Sequence, residues 1–202
     1  MLWEVPDGLW KKIYRLIVKY YQKKRRIQWK WQVVDSKMVP APLGGDLTGP
    51  NPTDRAKSGS KRHIWVDQRG APLSVCITAA NAHDVTEIMN LLNRPIVRRP
   101  KTQYRVQHLC ADKAYDSEEV RTKLRKRNIT PHIRKREYDS DPKPPPLESE
   151  KHPARRWVVE RTLSWQNDFR SLRTRWTKKS DNWLAFIYFA CTLILWRMCS
   201  HE

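Results

Sequence analysis

The stretch VQHLCADKAYDSEEV, residues 106–120, places a short apolar run directly before Asp112 and a helix start directly after it. The run has the length and composition of a buried strand. Asp116 and Glu119 match a capping-box pair, so we expect a helix to follow, and ITPHI at 129–133 predicts a further short strand. A strand, a helix and a strand in succession restrict the chain to folds that combine a sheet with helices.

The remaining segments extend the same pattern. WQVVDSKMV predicts a strand, and HIWV and LSVCIT flank Asp67 to Gly70 as the two arms of a β-hairpin. The turn-rich, basic stretch 40–62, which lies between the first strand and HIWV, predicts a long loop. Loops of that length usually have functions. An apolar stripe from Val158 to Trp176 predicts a helix that packs on the sheet, and the run 183–196 predicts a buried C-terminal helix. The predicted fold class is α/β, with a mixed sheet flanked by helices.

Two parts of the chain are expected. Residues 1–30 form a basic amphipathic helical segment, which Asp7 would cap and whose apolar positions are Leu9, Ile13, Leu16, Ile17 and Tyr20. Residues 31–202 form one main domain. Within it, the charged and proline-rich residues 134–155 predict an irregular linker.

Charge indicates the kind of partner. The 202 residues include 40 Lys plus Arg against 21 Asp plus Glu, a formal net charge of +19. An excess of this size favours a polyanion such as DNA, although a merely basic surface is the alternative. The four cysteines have no motif spacing and predict reduced thiols in the cytoplasm. No secretory signal is visible, and the run 183–196 is shorter than the roughly 20 residues that cross a bilayer.

Three acidic residues stand out by position. Asp35 lies near the end of the first strand, Asp112 ends a later strand, and Glu160 lies in the helix after the linker. If the two strands are neighbours, all three side chains converge at one edge of the sheet. Oxygen-rich sites of this kind suit Mg²⁺ or Mn²⁺. Taken singly, each acid has a simpler explanation, a turn-forming Asp or a solvated helical Glu.

Several blocks resemble one family in the same order. VVDSKMVPAPLGGDLTGPNPTDRAKSGSKRH, VDQRGAPLSVCITAANAHD, LCADKAYDSEEVR, RRWVVERTLSWQNDFRSLRTRW and NWLAFIYFACTLILWR are similar to motifs of the DDE transposases of bacterial insertion sequences, in the insertion-sequence-five group. The resemblance implies a ribonuclease-H-like fold in which Asp35, Asp112 and Glu160 are catalytic acids that hold two Mg²⁺ or Mn²⁺ ions. It also implies that Arg156, four residues before Glu160, belongs to the site.

The implied reaction is metal-dependent cleavage of DNA at transposon ends, followed by strand transfer to target DNA. The implied protein is a bacterial cytoplasmic, nucleoid-associated one that acts as a homo-oligomer, with an upstream-frame product as a further partner and no membrane. The residues expected to meet DNA phosphates are Arg55, Lys57, Lys61, Arg62, Lys113, Arg155 and Arg161. Trp157 or Trp65 would stack on an unpaired base, or pack in the core. His83 and Asp84 are expected to form a loop or cap pair beside the site.

Four positions depart from the family pattern and bear on DNA positioning. Pro153 stands at a Tyr position, Asn167 at a Lys position, Ala114 at a Gly position, and Asp168 at a position that is commonly basic. Two alternatives therefore stay open. One is a metal-dependent nuclease that cuts without joining, and the other is an inactive, DNA-binding transposase remnant.

Overall fold

The computed structural model describes residues 8–101, 105–135 and 155–200. The described residues form a six-stranded sheet with helices on both faces. The strands are β1 (Trp31–Pro40), β2 (Gly49–Pro50), β3 (Ser58–Asp67), β4 (Pro72–Ala79), β5 (Gln107–Ala111) and β6 (Ile129–Ile133). The helices are α1 (Leu9–Lys23), α2 (Asp84–Asn93), α3 (Glu118–Arg125), α4 (Arg156–Asn167), α5 (Arg170–Arg173) and α6 (Ser180–Ser200).

The sheet is mixed, with β1 near its centre. β1 runs antiparallel to β3 and parallel to β5, and β5 runs parallel to β6. On its other side β3 pairs antiparallel with β4, through a hairpin in which Gly70 has a φ of 88°, and with the short β2. This helix-flanked mixed sheet confirms the predicted α/β, ribonuclease-H-like class.

The two faces of the sheet pack against different helices. On β3, Arg62 donates a hydrogen bond of 2.6 Å to the carbonyl of Leu172, so its face lies against α4 and α5. The neighbouring residue His63 lies 3.9 Å from Asp84, so the opposite face lies against the start of α2. Because Asp35 is paired with Ile64, two residues from Arg62, the alternation of strand side chains places Asp35 on the α4 face.

Helix α1 forms as predicted but buries a different face. Tyr14, Ile17, Val18 and Tyr21 are buried, whereas Leu16 is 66% exposed. The reason is the packing of α1 on α6, where the rings of Tyr14 and Tyr188 stack with centroids 5.5 Å apart. The predicted cap Asp7 lies outside the described residues.

Three local predictions were wrong. The predicted long loop ends early, because β3 already starts at Ser58. The capping box is absent: Asp116 accepts hydrogen bonds from Arg121, and the side chain of Ser117, the residue before α3, makes no capping bond. The predicted helix through Trp176 is interrupted between Asn167 and Arg170. Most of the predicted linker lies outside the described residues.

Helix α6 is longer than the apolar run that predicted it. It has 21 residues and, by length and composition alone, is apolar enough to cross a membrane. It nevertheless packs on α1 and β4, and it buries Trp183, Ile187, Cys191 and Leu195. These contacts are those of a helix in the core of the molecule, as the sequence predicted.

Candidate active site

Parallel pairing brings the two aspartates to one edge of the sheet. Val33 on β1 is the register partner of Cys110 on β5. Positions two residues further along the parallel strands, Asp35 and Asp112, therefore lie side by side on the same face. Each carboxylate accepts a hydrogen bond from the next backbone N–H, from Ser36 at 2.8 Å and from Lys113 at 2.7 Å.

Helix α4 supplies the third acid and a cation. Arg156 is the first residue of α4, and Glu160 lies one turn later on the same side. Arg156 Nη1 lies 3.3 Å from Asp112 Oδ1, and Arg156 Nη2 lies 3.5 Å from Glu160 Oε1. The guanidinium of Arg156 thus bridges the carboxylate at the end of β5 and the carboxylate on α4.

The charges of the other two acids and of Arg156 act on Asp35. Burial raises the pKa of Asp35 to about 6. The hydrogen bond from the Ser36 N–H and the charge of Arg156 oppose that rise, whereas the charges of Asp112 and Glu160 add to it. Asp35 is therefore close enough to both other acids to be repelled by them, and the site has more negative charge than Arg156 balances.

This donor set fits a hard divalent cation. Carboxylate oxygens are the ligands that Mg²⁺ and Mn²⁺ prefer, and a cation would relieve the repulsion among three acids that one arginine shares. In the arrangement seen here, the described residues include no group of three His, Cys, Asp or Glu side chains placed to hold a metal ion together. The guanidinium of Arg156 instead provides the positive charge between two of the acids.

The residues predicted to bind DNA fall into three groups. Arg55, Lys57 and Lys113 are exposed. The side chains of Lys61 and Arg62 lie in the interior instead, 7% and 1% exposed. Arg62 donates hydrogen bonds to Leu163, Asn167 and Leu172 at the end of α4 and in α5, and because its guanidinium is buried it presents no donor to a phosphate at the surface.

The remaining basic candidates line the exposed side of α4. The guanidinium of Arg155 lies 5.2 Å from the ring centroid of Trp31. Arg161 donates to the Arg69 carbonyl at 2.7 Å and lies over the rings of Trp157 and Trp165. Trp157 is 58% exposed, close to Arg156, whereas Trp65 is fully buried.

The sequence did not reveal the contacts that Asp84 makes on the opposite face of the sheet from the three acids. Ser36, next to Asp35, donates through its hydroxyl to Asp84, and Lys61 also reaches Asp84. Alternation along β1 and β3 could have indicated that Ser36 and Lys61 share a face, but no local pattern links them to the start of α2.

Comparison with known proteins adds a family-level finding. The transposase DDE domain model matches residues 30–195. A protein from Burkholderia cepacia that is assigned as a transposase for insertion sequence element IS402 is 41% identical over 162 residues, 76% of this chain and 70% of that protein.

Among solved structures, the similarity is remote. The catalytic domain of Mos1 transposase with Raltegravir and Mg has 13% identity and a TM-score of 0.41, covering 94% of this chain and 90% of that one. A chain of the simian T-cell lymphotropic virus intasome in complex with PP2A regulatory subunit B56 gamma has 15% identity and a TM-score of 0.43, covering 87% of this chain. This chain spans 50% of the length of that intasome chain.

Proposed function

We propose, from the premise that this chain belongs to the transposase DDE domain family, that it cleaves DNA at transposon ends and transfers the freed strand to target DNA. The observation that carries the proposal is the convergence of Asp35, Asp112 and Glu160 around Arg156. The acids come from the middle of β1, from the residue that follows β5 and from α4, which are far apart in sequence. A structural ion pair would need only one of these acids.

The two chemical steps use the same centre. In the first, water attacks a phosphodiester at the transposon end and leaves a 3′-hydroxyl. In the second, that hydroxyl attacks a phosphodiester of the target, and one P–O bond forms as another breaks. Neither step requires a covalent protein intermediate, so the side chains only have to hold and orient the reacting groups.

Asp35, Asp112 and Glu160 would hold two Mg²⁺ or Mn²⁺ ions. Bound there, the ions supply activation of the attacking oxygen and stabilisation of the leaving one. Arg156 would then balance the remaining charge of the acids and contact the phosphate, since a guanidinium matches the geometry of either group.

DNA would approach over basic residues that are exposed or half-buried. We place phosphate contacts at Arg55, Lys57, Lys113, Arg155 and Arg161, and leave Lys61 and Arg62 out because they are buried. Residues 31–202 would be the catalytic domain and 1–30 a basic helical segment that packs on it through α1 and α6. The active complex would be a homo-oligomer on two DNA ends, in the bacterial cytoplasm at the nucleoid, with an upstream-frame product as a further partner.

The decisive experiment offers the purified protein a labelled duplex from the flank of its gene together with a supercoiled plasmid. We expect nicking in Mg²⁺ or Mn²⁺, transfer of label to the plasmid, and neither in excess chelator. Nicking without transfer would favour a nuclease. Binding without nicking would favour an inactive remnant, and undiminished cutting in chelator would contradict the metal-dependent mechanism.

A further inference from the structure

A buried polar cluster lies on the face of the sheet opposite the three acids. It consists of Ser36 on β1, Lys61 and His63 on β3, and Asp84 at the start of α2. Asp84 Oδ1 accepts hydrogen bonds from the Ser36 hydroxyl at 3.0 Å and from Lys61 Nζ at 3.1 Å. The side chains of Lys61 and Asp84 are only 9% and 14% exposed.

This cluster is joined to Asp35 through one residue. Ser36 donates its backbone N–H to Asp35 Oδ1 at 2.8 Å and its hydroxyl to Asp84 at 3.0 Å. Because adjacent strand residues point to opposite faces, Ser36 connects the two sides of the sheet. The bond from its hydroxyl to Asp84 therefore restrains the same residue whose amide holds the Asp35 carboxylate.

The charges around Asp84 hold it in place. Lys61 Nζ also donates to the Ala82 carbonyl at 2.7 Å, so the ammonium is fixed between two acceptors. Burial lowers the pKa of His63 to about 4, which leaves that ring neutral at pH 7, and its Nε2 pairs with the Thr78 hydroxyl. Among the described neighbours, Lys61 is therefore the charged partner of Asp84.

The same helix start also supports the second aspartate. Tyr115 belongs to the short 3-10 turn Lys113–Tyr115 that directly follows Asp112, and this turn packs against α2. Tyr115 is fully buried, and the charges of Asp84 and Asp35 add to the burial that raises its pKa. The beginning of α2 thus lies behind both aspartates.

We propose that Asp84, held by Lys61, is a positioning residue that acts through Ser36 to fix the Asp35 carboxylate in its orientation for DNA cleavage. The proposal rests on the proposed function, in which Asp35 is a catalytic acid. It gives a role to a buried ion pair that makes no contact with the three acids themselves.

The test compares three variants of the full chain. Ser36→Ala removes the hydroxyl but leaves the Lys61–Asp84 pair intact, so the fold should be retained. Ser36→Thr keeps the hydroxyl on a residue that strands favour. Thr86→Val is the matched control, because it removes a hydroxyl in the first turn of α2 that bonds to the His83 carbonyl and, weakly, to Glu87.

We expect Ser36→Ala to lower the single-turnover cleavage rate about tenfold to a hundredfold, in the range that a small misplacement of a reacting group costs, with unchanged affinity for DNA. Ser36→Thr should restore the rate to within about threefold of wild type, and Thr86→Val should match wild type. A crystal structure of Ser36→Ala should show the Asp35 carboxylate turned from its wild-type orientation.

The outcomes separate this inference from the proposed function. If the wild type does not cleave DNA, the proposed function fails, and the orientation of Asp35 in the two crystal structures still decides the positioning role. An unmoved Asp35 carboxylate, or Ser36→Ala cleaving at the wild-type rate, would overturn the inference. Equal losses of cleavage rate in Ser36→Ala and Thr86→Val would mean that any change near the start of α2 slows cleavage. That result would also overturn the inference.

Discussion

At the scale of single residues, the fold destabilises the charged form of the Asp35 carboxyl group, and the neighbouring hydrogen bond and arginine offset only part of this effect. Its carboxyl group is largely buried beside two other acids, and its pKa is raised to about 6. A raised pKa means that the charged form is less stable in the folded protein than in the unfolded chain. Groups of this kind cluster at functional sites, where stability is given up for chemistry.

We therefore predict that Asp35→Asn stabilises the metal-free protein at pH 8. The folded carboxyl binds its proton more tightly than the unfolded one, so wild-type stability falls as pH rises from about 4 to 6 and stays reduced above. Asparagine avoids this loss, which is about 2 to 3 kcal/mol for the shift to about 6. Tm in chelator should rise by about 5 to 10 °C at pH 8 and little at pH 4.

The matched control is Asp54→Asn, because Asp54 is 43% exposed and pairs with the surface residue Lys57. It should leave Tm nearly unchanged at both pH values, since exposed pairs contribute little. A lower Tm for Asp35→Asn at pH 8 would show that the Asp35 charge is satisfied in the fold.

The sequence put Asp35 and Asp112 on different strands of one sheet, but its placement of Asp35 near the end of a strand was wrong, because β1 continues to Pro40. It also failed for long side chains within strands. The positions of Asp35 and Asp112 follow from where β1 and β5 run, which apolar patterning reveals. The burial of Lys61 and Arg62 depends on β3 being covered on both faces. Strand alternation sends their side chains to opposite faces, and in a one-sided sheet one of them would have been exposed.

At the scale of elements, the end of α4 depends on one buried arginine. Arg62 Nη1 donates to the Leu172 carbonyl at 2.6 Å and Nη2 to the Leu163 carbonyl at 3.3 Å and to the Asn167 side chain. These carbonyls lie where α4 ends and α5 follows, so Arg62 satisfies groups that the interrupted helix leaves free.

We predict that Arg62→Ala destabilises the protein by about 2 to 4 kcal/mol, because it leaves buried carbonyls unpaired and opens a cavity. Urea unfolding would measure the loss. Arg170→Ala is the control, since Arg170 is exposed in the neighbouring α5, and it should change stability by less than about 0.5 kcal/mol. A stable Arg62→Ala with weakened DNA binding would restore the original prediction of a phosphate contact.

Element boundaries were less predictable than element types. Apolar spacing continues from Val158 to Trp176, so periodicity alone favours one uninterrupted helix. At the break, the polar groups are bonded by Arg62, which lies about a hundred positions earlier in the chain, and no local signal reports these contacts. The capping box at Asp116 failed for a similar reason, because Arg121, which also donates to the Ile133 carbonyl, engages the Asp116 carboxylate.

At the scale of the whole molecule, the net charge of +19 is the property most directly related to DNA. Each phosphate that a Lys or Arg neutralises releases counterions, so affinity falls with salt on a log–log plot by about 0.9 per contact. Phosphate contacts carry little sequence information. The sequence predicts this salt dependence. The structure is needed to tell which Lys and Arg side chains face solvent.

We predict that the double variant Arg55→Ala/Lys57→Ala flattens the salt dependence of binding to a scrambled duplex by about 2 in log–log slope, one contact for each residue. Fluorescence anisotropy between about 50 and 200 mM salt, the range over which phosphate contacts are resolved, would measure it. Lys19→Ala/Lys23→Ala, on α1, is the control with the same loss of charge and should leave the slope nearly unchanged. Equal flattening in both variants would mean that only total charge matters.

The central claim is that Asp35, Asp112 and Glu160 form one cleavage centre. Its most direct test is the single-turnover nicking rate in Mg²⁺ for the wild type and for Asp35→Ala, Asp112→Ala and Glu160→Ala, with Asp54→Ala as the surface control. Each of the three variants should lose at least about a thousandfold in rate, as residues that act as a unit do, while folding and binding DNA like the wild type. Wild-type nicking by any one of the three would contradict the account.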